Sequence, residues 1–84
     1  MSSALKVLIY SSSTCPYCYV VKDYLISKGI TFEEIDLDEQ PKKRKEMEEI
    51  SGQKNIPVIL INNEAVCGWR KEEIDKLLEK YGAI

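Results

Sequence analysis

Thr14-Cys15-Pro16-Tyr17-Cys18 is the stretch on which the fold turns. The apolar residues 4–10 lead into it, and an amphipathic helical pattern starts inside it. That order places two thiols at the first turn of a helix, at the end of a buried strand. The first turn of a helix carries backbone N–H groups without intrahelical partners and a partial positive charge. Pro16 suits the first helical position, where its fixed φ helps and its missing N–H costs nothing. Cys15 then falls at the N-cap, where those amides favour thiolate over thiol. An ordinary thiol is only ~3% ionised at neutral pH, and a shift of roughly two units would ionise most of it. Cys18 lies one helical turn on, on the same face. It is placed to attack a mixed disulfide on Cys15, release the partner and close a Cys15–Cys18 disulfide.

Other uses of two cysteines at this spacing fit less well. A structural zinc site needs four ligands. The chain has no histidine and three cysteines in all, so neither four cysteines nor two cysteines with two histidines can be assembled within it. A bridge between Cys15 and Cys18 closes too short a loop to stabilise a fold much. Two ordinary buried thiols would not call for Pro-Tyr between them at a helix start.

Length and charge bound the rest. Eighty-four residues make one small domain, residues 1–84, with a core of modest stability. A net charge of −2 argues against nucleic acid, whose binders show a basic stripe. An odd number of cysteines does not suit a secreted disulfide framework. Residues 5–10 are too short for a signal peptide and Lys6 interrupts them, and no stretch is long and apolar enough for a membrane span. The expected setting is the reducing cytoplasm, where such a pair is more often catalytic than structural.

Outward from the motif, residues 4–10 read as a central strand buried on both faces, and Ser11-Ser12-Ser13 as the turn into the helix. The helix runs from Cys15 or Pro16 to Lys28 with Val20, Val21, Tyr24 and Leu25 inward and Lys22, Asp23 and Lys28 outward, and Gly29 ends it. Residues 31–37 form a second strand, parallel to the first. The parity of Phe32, Ile35 and Leu37 slips there, which predicts a bulge or an edge position. A charged helix follows over 41–50, capped by Asp38 or Gln40, with Met47 and Ile50 inward. Its Lys42-Lys43-Arg44-Lys45 run reads as a solvated face paired with the glutamates after it, and Ser51-Gly52 ends the helix. Residues 57–61 make another buried strand, Asn62-Asn63 a tight turn, residues 64–67 an antiparallel return, and residues 71–81 a helix striped by Ile74, Leu77, Leu78 and Tyr81. The order is β-α-β-α-β-β-α.

Pro57 opens a central strand after Asn55-Ile56. Base rates favour a trans bond there, but the company of the cysteine pair points to cis. A cis bond would turn the backbone of Ile56 outward for an extended partner to pair with. Trp69 either covers the edge of the core or walls the site beside Cys15. Cys67 reads as an inert strand thiol facing the core, ahead of a thiol near the groove and open to forming a mixed disulfide.

With Cys15-Pro16-Tyr17-Cys18, the segment Ser51-Gly52-Gln53-Lys54-Asn55-Ile56-Pro57 and this order of elements, nearly the whole chain resembles the glutaredoxins of the thioredoxin superfamily. The resemblance implies an α/β thioredoxin-like fold with a central four-stranded mixed sheet. It implies a thiol–disulfide oxidoreductase that reduces protein disulfides or glutathione mixed disulfides. Cys15 would be the nucleophile and Cys18 the resolving thiol. Tyr17, Asn55, Ile56, Pro57, Gly68, Trp69 and Arg70 would meet glutathione, the co-substrate, with no metal required. Expected partners are glutathione, disulfide-containing or glutathionylated proteins and the glutathione reductase system, met by a monomer, with neither nucleic acid nor membrane involved. Two positions depart from the family pattern. Ser12 stands where a lysine is common, and Cys67-Gly68-Trp69-Arg70-Lys71 stands where Gly-Gly-x-Asp-Asp is usual. The second resembles the NrdH redoxins, which take electrons from thioredoxin reductase and pass them to ribonucleotide reductase. Some glutaredoxins instead share an iron–sulfur cluster between two chains, a third reading.

Overall fold

The computed structural model describes residues 5–83, so Ala4 of the first apolar run lies outside the described residues. The elements are β1 (Val7–Ser11), α1 (Pro16–Ser27), β2 (Glu33–Asp36), α2 (Lys43–Ser51), β3 (Val58–Ile61), β4 (Glu64–Cys67) and α3 (Lys71–Lys80). They form one mixed sheet in the order β2-β1-β3-β4. β1 and β2 run parallel, while β3 runs antiparallel to both β1 and β4.

Strand alternation divides the sheet between two helical layers. Val7, Ile9, Ile59, Ile61 and Val66 meet Val21 and Leu25 of α1 and Ile74 and Leu78 of α3. Tyr10, Val58 and Leu60 point the other way, to Met47 of α2 and to Leu37. The continuous apolar runs of β1 and β3 thus belong to central strands covered on both faces.

Where sequence periodicity misleads, the two-sided sheet explains why. The expected bulge in β2 is absent, because its register with β1 runs unbroken from Leu8↔Glu33 to Ser11↔Asp36. Phe32 packs on the α1–α3 side and Ile35 and Leu37 on the α2 side, so a change of face mimics a slip in parity. The edge position of β2 is as expected. On α1 the buried line is Cys18, Val21 and Leu25, whereas Val20 is 40% exposed. Lys22 does not point away: its ammonium lies 2.7 Å from Glu34 of β2. α2 begins at Lys43, two residues later than expected, with Lys42 at the N-cap and no side-chain cap. Asp38 is engaged elsewhere, and Gln40 offers only its backbone carbonyl, which accepts from Lys43. Ile50 is 45% exposed, so Met47 alone anchors α2. From the basic run, the pairing with a glutamate is that of Lys43 with Glu46 at 3.3 Å. Asn62 and Asn63 take φ of 49° and 75°, the left-handed pair of a two-residue hairpin turn.

Candidate active site

Cys15 is the N-cap of α1, with extended backbone (φ −102°, ψ 107°) and Pro16 behind it in the first turn. Its Sγ accepts a hydrogen bond from the N–H of Cys18 at 3.2 Å. Cys15 and Cys18 are joined as a disulfide across a Cα–Cα separation of 5.3 Å. Cys18 is fully buried and Cys15 only partly so. An incoming thiol or disulfide therefore meets Cys15 first. In the reduced pair, the same amide that caps Sγ favours its anion.

The loop ahead of Cys15 is held from the neighbouring strand. One oxygen of Asp38, Oδ2, accepts from the Ser12 hydroxyl at 2.8 Å, the Ser13 N–H at 3.1 Å and the Ser13 hydroxyl at 2.9 Å. The Ser12 hydroxyl, foremost among these donors, holds the Asp38 carboxyl below the usual carboxylate range. Thr14 and Ser12 share a hydroxyl–hydroxyl bond at 3.1 Å, and the Cys15 N–H returns to the Ser12 carbonyl. Ser12, where a cation was the familiar residue, is thus 6% exposed and spent on the loop itself. Sequence reasoning missed Asp38 as a site residue. Parallel pairing of β1 and β2 is the signal for it, since the segments leaving two parallel strands emerge at one end of the sheet.

Beside the disulfide lies a groove of about 280 Å³ lined by Tyr17, Ile56, Pro57, Gly68 and Trp69. The Ile56–Pro57 bond is cis. Among the described residues, neither the N–H nor the C=O of Ile56 is engaged in a hydrogen bond. Pro57 accepts from the N–H of Gly68 at 2.8 Å, which ties the end of β4 to the proline. Gly68 sits at φ +87°, a conformation that a residue with a Cβ rarely adopts. Tyr17 is 60% exposed and forms the outer lip of the groove. Trp69 answers both readings at once: it packs on the α1–α3 core cluster and lines the groove.

Two residues expected at the groove do not line it. The backbone N–H and C=O of Asn55 are both taken by the side chain of Gln53, at 2.9 and 2.7 Å. Gln53, named in the sequence only as part of the segment before Pro57 and given no role there, thereby shapes the approach to Ile56. Arg70 turns to the Cys67 carbonyl at 3.1 Å and to Glu73 at 3.4 Å. Cys67 is unbridged and half-buried; it pairs with Val58, shares its α2-facing side of the sheet, and is not among the residues lining the groove. Among the described residues, no group of three or more Cys, Asp or Glu side chains is gathered to hold a metal ion.

Comparison with known proteins agrees with this geometry. The family model described as glutaredoxin matches residues 7–66. A glutaredoxin-like 8.6 kDa protein from a rubredoxin operon of Clostridium pasteurianum is 45% identical over 74 residues, covering 88% of this chain and 99% of that one. Glutaredoxin 3 of Escherichia coli K12 is 42% identical over 62 residues, covering 74% and 75% of the two chains. Among solved structures, a glutaredoxin from Archaeoglobus fulgidus superposes with a TM-score of 0.81 at 31% identity, over 90% of this chain and 88% of that one.

Proposed function

The chain belongs to the glutaredoxin family and is a thiol–disulfide oxidoreductase working through Cys15 and Cys18; from that premise we propose that glutathione is its electron donor and that the groove beside the disulfide seats it. The observation that carries the reading is the open backbone of Ile56 on the wall of a groove whose opposite lip, Tyr17, stands between the two cysteines. An extended peptide can pair with such a backbone in the manner of an added strand. A volume of about 280 Å³ is at the small end for ligand sites. It suits a tripeptide arm lying along Ile56 and Pro57, between Tyr17 and Trp69, better than a bulky ligand.

The exchange proceeds in two displacements and a reset. The Cys15 thiolate attacks the glutathione sulfur of a mixed disulfide; a Cys15–glutathione bond forms, and the target leaves as a thiolate that takes up a proton. The Cys18 thiol, deprotonated as it attacks, displaces glutathione from Cys15 and closes the Cys15–Cys18 disulfide. Two glutathione molecules then reduce that disulfide and leave as oxidised glutathione, so two electrons enter and two leave. Gly68 keeps the groove floor close to Pro57, while Asn55 holds the approach through Gln53. Arg70, released from Glu73, meets a glutathione carboxylate at the far end.

Cys18→Ser tests the donor. With glutathione as donor, this variant still strips glutathione from a glutathionylated protein, because Cys15 cycles alone. It loses the reduction of internal protein disulfides. Coupled NADPH assays with glutathione reductase and with thioredoxin reductase complete the test. If glutathione does not reduce the wild-type disulfide while thioredoxin reductase does, the glutathione reading is overturned.

A further inference from the structure

Trp69 is a groove wall, and what stands behind it is Tyr24. The two rings meet edge to face, with centroids 5.4 Å apart and planes at 72°. Tyr24 lies on α1 beyond the cysteine pair and does not itself line the groove. Its own placement is over-determined. The Tyr24 hydroxyl donates to Oδ1 of Asp75 on α3. The other oxygen of Asp75 accepts from Lys71 at 3.0 Å. The ammonium groups of Lys71 and Lys28 stand 5.4 and 5.6 Å from the Tyr24 ring centroid. Neither a core contact nor an ion pair demands all of this: Tyr24 is only half-buried and sits at the margin of the cluster. What the arrangement does hold still is the indole.

We propose that Tyr24, locked by Asp75 and Lys71, is a positioning residue for substrate selection: it fixes Trp69 as a rigid wall, so that the groove is shaped in advance for an extended peptide arm joined to the disulfide being reduced. This rests on the groove being the seat of that arm. A wall fixed beforehand spares the ordering of an aromatic side chain on binding. Tyr24 therefore acts on affinity and leaves the sulfur exchange at Cys15 untouched.

The chain contains a single tryptophan, so fluorescence excited at the red edge of the near-UV band, where its five tyrosines do not absorb, reports on Trp69 alone. The test uses the full chain as wild type, Tyr24→Leu, Tyr24→Phe, Asp75→Ala and Trp69→Ala. It measures acrylamide quenching, the alkylation rate of reduced Cys15, and KM and kcat with a glutathionylated peptide. Tyr24→Leu should make Trp69 more readily quenched and raise KM about 2- to 10-fold, the range an aromatic pair of this kind supports. Its kcat and alkylation rate should match wild type. Tyr24→Phe, which keeps the ring pair, should raise KM less than Tyr24→Leu. Asp75→Ala, which removes the lock and keeps the Tyr24 ring, carries the same test should Tyr24→Leu not fold, and should raise KM without lowering kcat. If Trp69→Ala raises KM while Tyr24→Leu and Asp75→Ala do not, Tyr24 has no such role. If KM, kcat and alkylation all worsen together, Tyr24 is a plain structural residue and the proposal fails. If Trp69→Ala leaves KM unchanged, the groove is not the seat and both readings fall.

Discussion

Tyr10 heads the fully enclosed side chains of the sheet, yet its hydroxyl reaches Glu46 of α2 at 2.6 Å. Burial, and then that carboxylate, push the Tyr10 phenol well above its ordinary range; the Tyr10 hydroxyl in turn leads the groups that hold Glu46 below the usual carboxylate value. The bond joins β1 to a helix whose one buried apolar anchor is Met47. Tyr10→Phe should therefore cost about 1 kcal/mol, a net hydrogen bond discounted for the 43% exposure of Glu46. Urea unfolding checks this, with turnover at Cys15 unchanged. Such pairs were invisible in the sequence, since Tyr10 and Glu46 are 36 residues apart and Tyr24 and Asp75 are 51 apart. Cys15, Pro16, Cys18 and Pro57 were legible because each carries a constraint of its own, a thiol at a fixed spacing or a ring in the backbone. The hydroxyl and carboxylate partners have no local signature; only the packed fold brings them together.

Among the elements, α3 starts with an unused opportunity. Arg70 is its N-cap, with φ −127° and ψ 82°, and makes no side-chain cap bond. Glu73 stands three residues on, so Arg70→Ser would create the Ser-x-x-Glu pattern in which both side chains satisfy free amides. Stability should rise by about 0.5–1 kcal/mol, because the Arg70–Glu73 pair and the bond from Arg70 to the Cys67 carbonyl that are lost are both exposed and worth little. If Arg70 meets a glutathione carboxylate, the same variant should bind glutathione less well. A melting curve and a glutathione KM read the two effects separately. Element order and strand type were legible here because central strands, a turn of two asparagines and the α3 stripe each leave a clear period. The limits of α2 were not, because a helix held by Met47 alone imposes almost no pattern on its charged residues. The α1 stripe was misjudged by one position for a similar reason: Val20 and Val21 are equally apolar but point in different directions from the helix axis, and only packing shows that the inward line is that of Cys18, Val21 and Leu25.

At the scale of the molecule, three tyrosine–carboxylate bonds among the described residues stitch elements that backbone pairing leaves apart. Tyr10 ties β1 to α2, Tyr24 ties α1 to α3, and Tyr81, just past α3, ties back to Glu64 of β4. Glu46, Asp75 and Glu64 are each held below the usual carboxylate range, first by the tyrosine hydroxyl. Glu34 is lowered first by Lys22. A depressed folded pKa means that the stabilisation is complete above the unfolded value, about 4, and is lost as pH falls through the folded one. The three phenols are raised, Tyr10 and Tyr24 first by burial and Tyr81 first by Glu64. Their stabilisation is complete below the unfolded value of about 10 and is lost as pH rises through the folded one. Urea midpoints should therefore be level from about pH 5 to 9 and fall on both sides. A midpoint still level at pH 3 would show that these bonds do not join the elements. The two sulfurs of the pair are unequally exposed. Within the reduced pair an alkylating drug or oxidant reaches the outer sulfur first, so damage to the pair settles on that atom. The sheltered sulfur then serves as a guard, able to expel any adduct joined through sulfur but helpless against one joined through carbon.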